Sequence, residues 1–272
     1  MLMKKLVLII SVLLISFSVS AQSLTVLHMN DTHSHIEPER SGEYQGKGGV
    51  IEQAAYIDSV RWADGEANVL LLHAGDFGQG SSYFTELSGD IEIDIINAMG
   101  FDAVCIGNHE FDNGIEELAR RLGNIQVPVI CANYDFSQTP LAGLIKPYVI
   151  AEKAGRKVGI IGLLTDVAVV VDARIAAMLQ YQDAAVVLNE YAAQLKNEDC
   201  DLVIALTHLG YEGGVDTDVE LSQVSKNVDV IVGGHSHTHL DEMTKVKNAE
   251  GKQVIVVSDG KWGLEIANLK VK

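Results

Sequence analysis

The sequence is poor in proline, cysteine and basic side chains. Its 272 residues include 4 prolines and 3 cysteines, and 20 Lys and Arg stand against 37 Asp and Glu, for a formal net charge of −17. Nucleic acids and anionic membrane surfaces select basic faces, so this charge argues against both as partners. The chain also has no Pro/Ser-rich linker, no low-complexity tract and no repeat, which favours one compact unit.

The three cysteines do not indicate a disulfide framework. Cys105, Cys131 and Cys200 are odd in number, and each lies in or beside an apolar run. A buried cysteine behaves as a small apolar residue, so these thiols are expected in the core. The chain is long enough to bury one large core without cross-links.

The first 21 residues have the three parts of an export signal. Lys4 and Lys5 precede a short apolar run broken only by serines, and small residues stand before Gln22. Cleavage is therefore expected after Ala21, and a spanning helix would need a longer run of about 20 apolar residues. We predict a signal peptide at 1–21 and one domain at 22–272, periplasmic or extracellular and without stable membrane insertion. Loss of the two lysines takes the formal charge from −17 to −19.

Short β-branched runs alternate with helical patterns along the rest of the chain. Continuous apolar runs are typical of strands covered on both faces, which predicts an α/β fold with mostly parallel or mixed sheets. The predicted strands are 24–29, 69–73, 103–106, 129–132, 158–164, 202–207, 228–232, 254–257 and a closing strand within 264–271. Apolar residues at three- and four-residue spacing predict helices at 49–62, 90–99, 114–122, 184–196 and 219–226.

Metal-ligand residue types follow five of these strands. Ligands of α/β proteins gather at the carboxyl ends of strands, so these segments should meet at one edge. Alone, Asp31 or Asp76 is typical of a turn, and His208 is typical of a hydrogen-bonded core residue. Together, carboxylate, imidazole and amide oxygens suit Zn, Mn, Fe or similar ions. Histidines are concentrated in these segments and include His28, His33, His35, His208, His235, His237 and His239.

Four ordered motifs resemble those of the calcineurin-like metallophosphoesterases, and of their 5′-nucleotidase branch in particular. They are 28–33 (His-Met-Asn-Asp-Thr-His), 74–77 (Ala-Gly-Asp-Phe), 107–112 (Gly-Asn-His-Glu-Phe-Asp) and 233–237 (Gly-Gly-His-Ser-His), with Thr207-His208 before the last. Met29 and Ser34 depart from the usual pattern at positions that carry no ligand. The resemblance covers nearly all of 22–272 and implies a four-layer α/β/β/α sandwich of two mixed sheets, with two divalent ions at their edge.

The resemblance also implies how the ligands divide between the ions. Two dications about 3.5–4 Å apart repel each other, so a carboxylate has to be shared between them. Other members of the branch have a different ligand at the position of His237, so His35 and His239 could compete for that role or could be outer hydrogen-bond partners or surface histidines. Carried over motif by motif, the first ion is held by Asp31, His33 and His237, the second by Asn108, His208 and His235, and Asp76 bridges both.

The expected mechanism follows from these ions. A water bridging two dications has its pKa lowered towards about 7, and the resulting hydroxide attacks phosphorus. In the family, a His–Asp dyad acts on the transferring phosphoryl group, and the resemblance assigns this role to His109 and Asp112. Asp112 would orient the imidazole and favour its protonated form, and it could also cap the helix at 114–122. Glu110 is interpreted as structural.

The sequence thus predicts an exported dinuclear-metal phosphoesterase that hydrolyses phosphomonoesters in the manner of a 5′-nucleotidase. The acidic charge does not exclude phosphate esters, because a bound cation can reverse the local field. One alternative is a phosphodiesterase or pyrophosphatase acting on cyclic nucleotides or nucleotide sugars. Another is a non-catalytic metal-binding or adhesion protein, against which His109 and Asp112 argue. No P-loop and no Gly-x-Ser-x-Gly elbow occurs.

A further expectation concerns substrate recognition. In the two-domain 5′-nucleotidases that this chain resembles, a C-terminal domain supplies arginines for the phosphate and aromatic rings for the base. The chain ends at Lys272, shortly after the closing strand. Aromatic residues near the motifs are more typical of core than of a stacking platform; they are Phe77, Tyr83, Phe84 and Phe111. We therefore expect a separate polypeptide to supply strong selectivity among nucleotides.

Overall fold

The computed structural model describes residues 23–214 and 216–271. The predicted signal peptide lies outside the described residues. The strands are β1 (Leu24–Met29), β2 (Val69–His73), β3 (Ala103–Cys105), β4 (Val129–Ile130), β5 (Tyr134–Asp135), β6 (Tyr148–Lys153), β7 (Arg156–Leu164), β8 (Gln180–Tyr181), β9 (Leu202–His208), β10 (Val230–Gly233), β11 (Thr244–Lys247), β12 (Gln253–Ser258) and β13 (Ala267–Val271). The α-helices are α1 (Val50–Asp64), α2 (Ser82–Leu87), α3 (Asp90–Met99), α4 (Ile115–Leu122), α5 (Ala173–Ala176), α6 (Ala184–Asn197) and α7 (Asp218–Val224).

Eleven of these strands form two mixed sheets. The first sheet has the order β13-β1-β2-β3-β4, in which β13 is antiparallel to β1 and the other neighbours are parallel. The second sheet has the order β11-β12-β10-β9-β7-β6, with antiparallel edge strands β11 and β6 around a parallel centre. β5 and β8 pair as a separate short ribbon. In the parallel central part of each sheet, the carboxyl ends of five strands lead into the loops that contain the predicted ligands. These strands are β1, β2, β3, β9 and β10.

The two sheets pack face to face between two layers of helices. Successive side chains of a strand point to opposite faces, and β1 shows the consequence. Leu24 and Val26 pack against residues of β7, β9 and β10, whereas Leu27 and Met29 pack against α1 and α3. Helices α6 and α7 cover the outer face of the second sheet in the same way. The predicted four-layer α/β/β/α sandwich is confirmed.

The sequence patterns missed elements at the edges of the fold. Strands β6 and β11 have half-buried or exposed residues along their length, so neither contains the continuous apolar run by which the central strands are recognised. The β5–β8 ribbon and the short helices α2 and α5 were also not predicted. The closing strand begins at Ala267, three residues later than the start of the predicted segment. Cys105, Cys131 and Cys200 are buried and unpaired, as expected. Among the described residues no helix is both long and apolar enough to cross a membrane.

Candidate metal centre

The predicted ligands meet where the carboxyl edges of the two sheets adjoin. The loops after β1, β2 and β3 come from neighbouring strands of the first sheet, and those after β9 and β10 come from neighbouring strands of the second. Ligands of α/β proteins bind at this end of parallel strands. Two groups of metal-ligand side chains result: Asp31, His33 and His237 form one, and Asp76, His208 and His235 form the other.

The first group brings three ligand atoms to one point. The Nε2 atoms of His33 and His237 are 2.9 Å apart, although 204 positions separate the two residues. The Oδ1 atom of Asp31 lies 3.4 Å from Nε2 of His237 and 3.7 Å from Nε2 of His33. Asp31 is fully buried, so its carboxylate faces these rings instead of solvent.

The second group contains the residue predicted to bridge. The Oδ2 atom of Asp76 is 3.0 Å from Nε2 of His208 and 4.0 Å from Nε2 of His33, so this carboxylate lies between the two groups. The Nδ1 atom of His208 is 2.7 Å from the carbonyl oxygen of Ala74, which accepts its proton and leaves Nε2 directed towards Asp76. Such an outer hydrogen bond is typical of a metal-binding histidine. The ring of His235 lies edge-on to that of His208, with centroids 5.1 Å apart.

Unpartnered polar atoms show that the side chains fit divalent ions. Oδ1 of Asp31 and Oδ1 of Asn108 are both buried and make no hydrogen bond. Nearly all buried polar atoms in proteins have a partner, so a cluster of exceptions needs a ligand. Oxygen and imidazole nitrogen are donors that zinc, manganese and iron accept.

The carboxylates make this edge attractive to positive charge. Burial works against protonation of His208, but Asp76 and Asp31 outweigh it and raise the pKa of the imidazole to about 10. Burial and the neighbouring His208 lower the pKa of His235 to about 4, so this ring is neutral and has a free lone pair at neutral pH. A cation bound between the carboxylates would replace the proton on His208.

Several of these residues have a positive φ, a backbone conformation that is unfavourable for residues with a side chain. Left-handed φ values are uncommon for residues other than glycine and persist only where the surroundings impose them. Here the loops hold one another: the N–H of Asp31 donates to the carbonyl of Gly75 at 2.9 Å, and the N–H of His235 donates to Oδ2 of Asp31 at 2.9 Å. The residues with positive φ include Asp31, His33, Asp76, His235 and His237.

Glu110 lies beneath the ligand loops. It is fully buried, and its carboxylate accepts hydrogen bonds from the N–H groups of Asp76, Gly78 and Gly107 at 3.0, 3.0 and 2.6 Å. Burial and Asp76 raise its pKa to about 7. This geometry supports the structural interpretation of Glu110, because one side chain ties the loop after β2 to the loop after β3.

The loops after β2 and β3 approach so closely that position 107 has no room for a side chain. A Cβ atom at Gly107 would lie 2.2 Å from Oδ1 of Asp76 and 2.6 Å from its backbone N. We expect Gly107→Ala to displace the Asp76 carboxylate and to reduce both the metal bound per chain and the turnover. Elemental analysis beside a phosphate-release assay measures both quantities. Gly123→Ala is the control, because the nearest atom there is 3.3 Å away. Normal metal content in Gly107→Ala would show that the bridging position tolerates this shift.

His109 and Asp112 lie on the open side of the two groups. Nδ1 of His109 is 2.9 Å from Oδ2 of Asp112, and the side chains are 34% and 35% exposed. The backbone N–H of His109 donates to Oδ1 of Asp76 at 2.9 Å, which fixes the position of the imidazole beside the predicted ions. The hydrogen bond that His109 donates to Asp112 raises the pKa of His109, which favours the imidazolium.

The remaining histidines lie outside both groups. His35 stacks on Trp262, with centroids 4.5 Å apart, and its Nδ1 contacts Glu39. His239 pairs with Asp241 and Glu265. Neither residue contributes an atom to the two groups that contain Asp31 and Asp76.

Two supports of Asp31 were not anticipated from the sequence. Nδ2 of Asn30 donates to Oδ2 of Asp31 at 2.7 Å, and the backbone N–H of Trp262 donates to the carbonyl of Asp31 at 2.7 Å. The adjacency of Asn30 to Asp31 within a motif could have indicated the first contact. The second joins residues 231 positions apart, and nothing in the sequence near Trp262 indicates it.

Comparison with known proteins agrees with this geometry. The family model for calcineurin-like phosphoesterases matches residues 24–239. A 5′-nucleotidase of Bos taurus is 34% identical over 275 residues, covering 92% of this chain and 46% of the relative. The 5′-nucleotidase precursor from Thermus thermophilus superposes with a TM-score of 0.84 at 36% identity, over 92% of this chain and 51% of the other. The NAD nucleotidase of Haemophilus influenzae superposes with a TM-score of 0.79 at 30% identity, over 92% of this chain and 47% of the other. The chain spans about half the length of these relatives.

Proposed function

Because the chain belongs to the calcineurin-like phosphoesterase family, we propose that it is a metal-dependent phosphomonoesterase of the 5′-nucleotidase type. The observation that carries the proposal is the position of Asp76 between two groups of oxygen and nitrogen donors, with His109 and Asp112 on their open side. In this proposal the two groups would hold the ions, and His109 and Asp112 would act on the phosphoryl group.

Each residue has a defined task in this proposal. Two divalent ions, when bound, would neutralise charge on the phosphoryl oxygens and lower the pKa of the attacking water. Asp76 would be shared between them, and five other predicted ligands would divide as the two groups divide. Asn108, whose buried Oδ1 has no hydrogen-bond partner, would join His208 and His235. His109, held protonated by Asp112, would donate a hydrogen bond to the phosphoryl group and stabilise the charge that grows on it in the transition state.

Export is part of the proposal. The pattern of residues 1–21 supports a cleaved signal and a periplasmic or extracellular enzyme. The pyrophosphate link of a dinucleotide is a second candidate substrate, because a similar structure is that of an NAD nucleotidase.

Phosphate release from a panel of esters tests the proposed function. The panel contains nucleoside monophosphates, a simple aryl phosphate, a cyclic nucleotide and NAD, each with and without a chelator. We expect chelator-sensitive release from the monophosphates. Chromatography of the products is needed for the cyclic nucleotide and NAD, because opening the cyclic ester or the pyrophosphate link gives nucleoside monophosphates and liberates no phosphate. Such conversion without phosphate release from any monophosphate would favour the phosphodiesterase or pyrophosphatase alternative. Metal binding without conversion of any ester would favour the non-catalytic one.

We also expect the isolated domain to discriminate weakly among nucleobases. Phe77, Phe84 and Phe111 are buried in the core and so cannot stack on a base, and Arg121 is buried behind the loops against Glu110. Phosphate binding would then rest on the ions and His109, with a high KM, and a separate domain or polypeptide would supply selectivity.

Values of KM for several nucleoside monophosphates and an aryl phosphate measure this selectivity. We expect them to agree within about tenfold, which is about 1.4 kcal/mol. A hundredfold preference for one nucleotide, about 2.7 kcal/mol, would show that the domain recognises a base by itself. Trp262, which lies on His35 near the edge, would then be the first side chain to replace.

A further inference from the structure

A second polar cluster lies apart from the two groups described above. A cleft of about 650 Å³ opens between β1 and β13 of the first sheet and β11 and β12 of the second. Its lining includes His28, His239, Lys245, Asp259 and Glu265. The family motifs assign no role to this cleft, and the proposed mechanism uses none of these side chains.

Three of the lining residues offer ligand atoms to one point. One atom each from His239, Asp259 and Glu265 lie within 4.8 Å of one another. Nδ1 of His239 is 3.6 Å from Oε2 of Glu265, and His239 and Asp259 face each other as an isolated antiparallel bridge. Oδ2 of Asp259 accepts a hydrogen bond from the N–H of Ala267 at 2.8 Å, which fixes this carboxylate at the cleft.

The surroundings of His239 suit a metal ligand. Its Nε2 atom is 3.3 Å from Oδ1 of Asp241, on the side of the ring opposite to the Nδ1 that faces Glu265. A carboxylate at the second ring nitrogen is the usual outer partner of a metal-binding histidine, because it fixes the tautomer and the orientation of the ring.

His28 provides an independent indication of a ligand. It borders the same cleft, is fully buried, and has no hydrogen-bond partner at Nδ1 or at Nε2. Its strand neighbour in register is Ala267, the residue that donates to Asp259. Burial lowers the pKa of His28 to about 4, so the ring is neutral and one nitrogen has an unused lone pair. A buried imidazole without partners needs a ligand or an ordered water.

We propose that His239, Asp259 and Glu265 bind a further divalent cation, with His28 facing it across the cleft, and that this site is separate from the two groups around Asp76. Imidazole nitrogen and carboxylate oxygen are both donors that zinc accepts.

The site would be coupled to the predicted dinuclear centre through Asn30. The N–H of Asp259 donates to Oδ1 of Asn30 at 3.0 Å, and Nδ2 of Asn30 donates to Oδ2 of Asp31 at 2.7 Å. An ion that fixes Asp259 therefore also restrains the residue that orients Asp31.

Zinc binding to the chelator-treated full chain tests the proposal. Elemental analysis after dialysis at buffered free zinc should give one more ion per chain in the wild type than in Glu265→Gln or His239→Ala, with the zinc Kd of this site raised at least about tenfold. Both residues are exposed, at 59% and 43%, so these variants should fold. Glu242→Gln, which removes a charge from the same cleft, is the matched control and should keep the ion.

The same measurement in the Asp76→Ala background separates this site from the dinuclear centre. Asp76→Ala should keep the additional ion, and Asp76→Ala with Glu265→Gln should lose it. Diffraction at the zinc absorption edge should show a peak between the three side chains. Equal zinc content in the wild type and Glu265→Gln would overturn the proposal. Equal loss from Glu242→Gln would overturn it by showing non-specific attraction to acidic charge.

Discussion

Asp76→Ala is expected to abolish turnover and to remove one or both of the ions that the two groups around Asp76 hold. The carboxylate of Asp76 lies between Nε2 of His208 and Nε2 of His33, so it is placed to screen two cations from each other. The other oxygen of Asp76 accepts a hydrogen bond from the backbone N–H of His109. Loss of the carboxylate therefore also removes a contact that holds the backbone of His109 in place. Elemental analysis of the purified variant and its rate of phosphate release measure both effects.

Two further variants separate the possible causes. Asp76→Asn keeps an oxygen for the N–H of His109 but removes the charge, and we expect it to lose metal as well. Asp58→Ala removes an exposed carboxylate on α1 and should change neither quantity. Full metal content with normal turnover in Asp76→Asn would mean that the bridge does not depend on a carboxylate.

His109→Ala is expected to leave both ions in place and to lower kcat by roughly 10²–10⁴, the range for loss of an acid–base or electrostatic catalyst. His109 is a third exposed and contacts the ligand set through its backbone, so truncating its ring removes no predicted ligand. Turnover per bound metal is the quantity to compare. His35→Ala is the matched control, because His35 lies in the ligand loop after β1 but belongs to neither group. Loss of metal with unchanged turnover per metal would show that His109 is a ligand instead of a catalyst.

Asp112→Asn tests the protonation state of His109. The carboxylate of Asp112 raises the pKa of His109, so the imidazolium persists to higher pH than in a free histidine. Asparagine is neutral and does not raise the pKa of His109 in this way, so the imidazolium loses its proton at lower pH. We expect the alkaline limb of the kcat profile to move towards lower pH, with unchanged metal content. An unmoved limb would mean that another group controls it.

The central part of the fold could be predicted because its strands are covered on both faces. β1, β2 and β9 are buried at every position, which gives the continuous apolar runs that were recognised in the sequence. β11 alternates between half-buried and exposed residues at the sheet edge, and its four residues resemble a loop. The resemblance implied the four layers and the two mixed sheets. The order of strands within each sheet was not predicted, because local patterns contain no information about pairing.

The candidate site divides in the same way. Asp31, Asp76 and His208 follow recognisable strands, so their meeting at one edge could be expected from the alternation of strands and helices. The contact between Trp262 and Asp31 and the grouping of His239 with Asp259 depend on how the last loop folds back on the first strand. Such contacts follow from tertiary packing and leave no periodic signal.

The division of the ligands between the sheets has a consequence for heat resistance. Asp31, His33, Asp76 and Asn108 belong to loops of the first sheet, and His208, His235 and His237 belong to the second. Elsewhere apolar side chains pack between the two sheets, and Lys153 of β6 forms an ion pair with Asp102, which precedes β3. Ions bound by loops of both sheets would therefore link the two sheets of the sandwich. A ligand bound only by the native state at a hundredfold excess over its Kd stabilises a protein by about 2.7 kcal/mol. The midpoint of thermal unfolding would then rise with the free metal concentration. In a compartment with little free metal, the protein would unfold at a lower temperature.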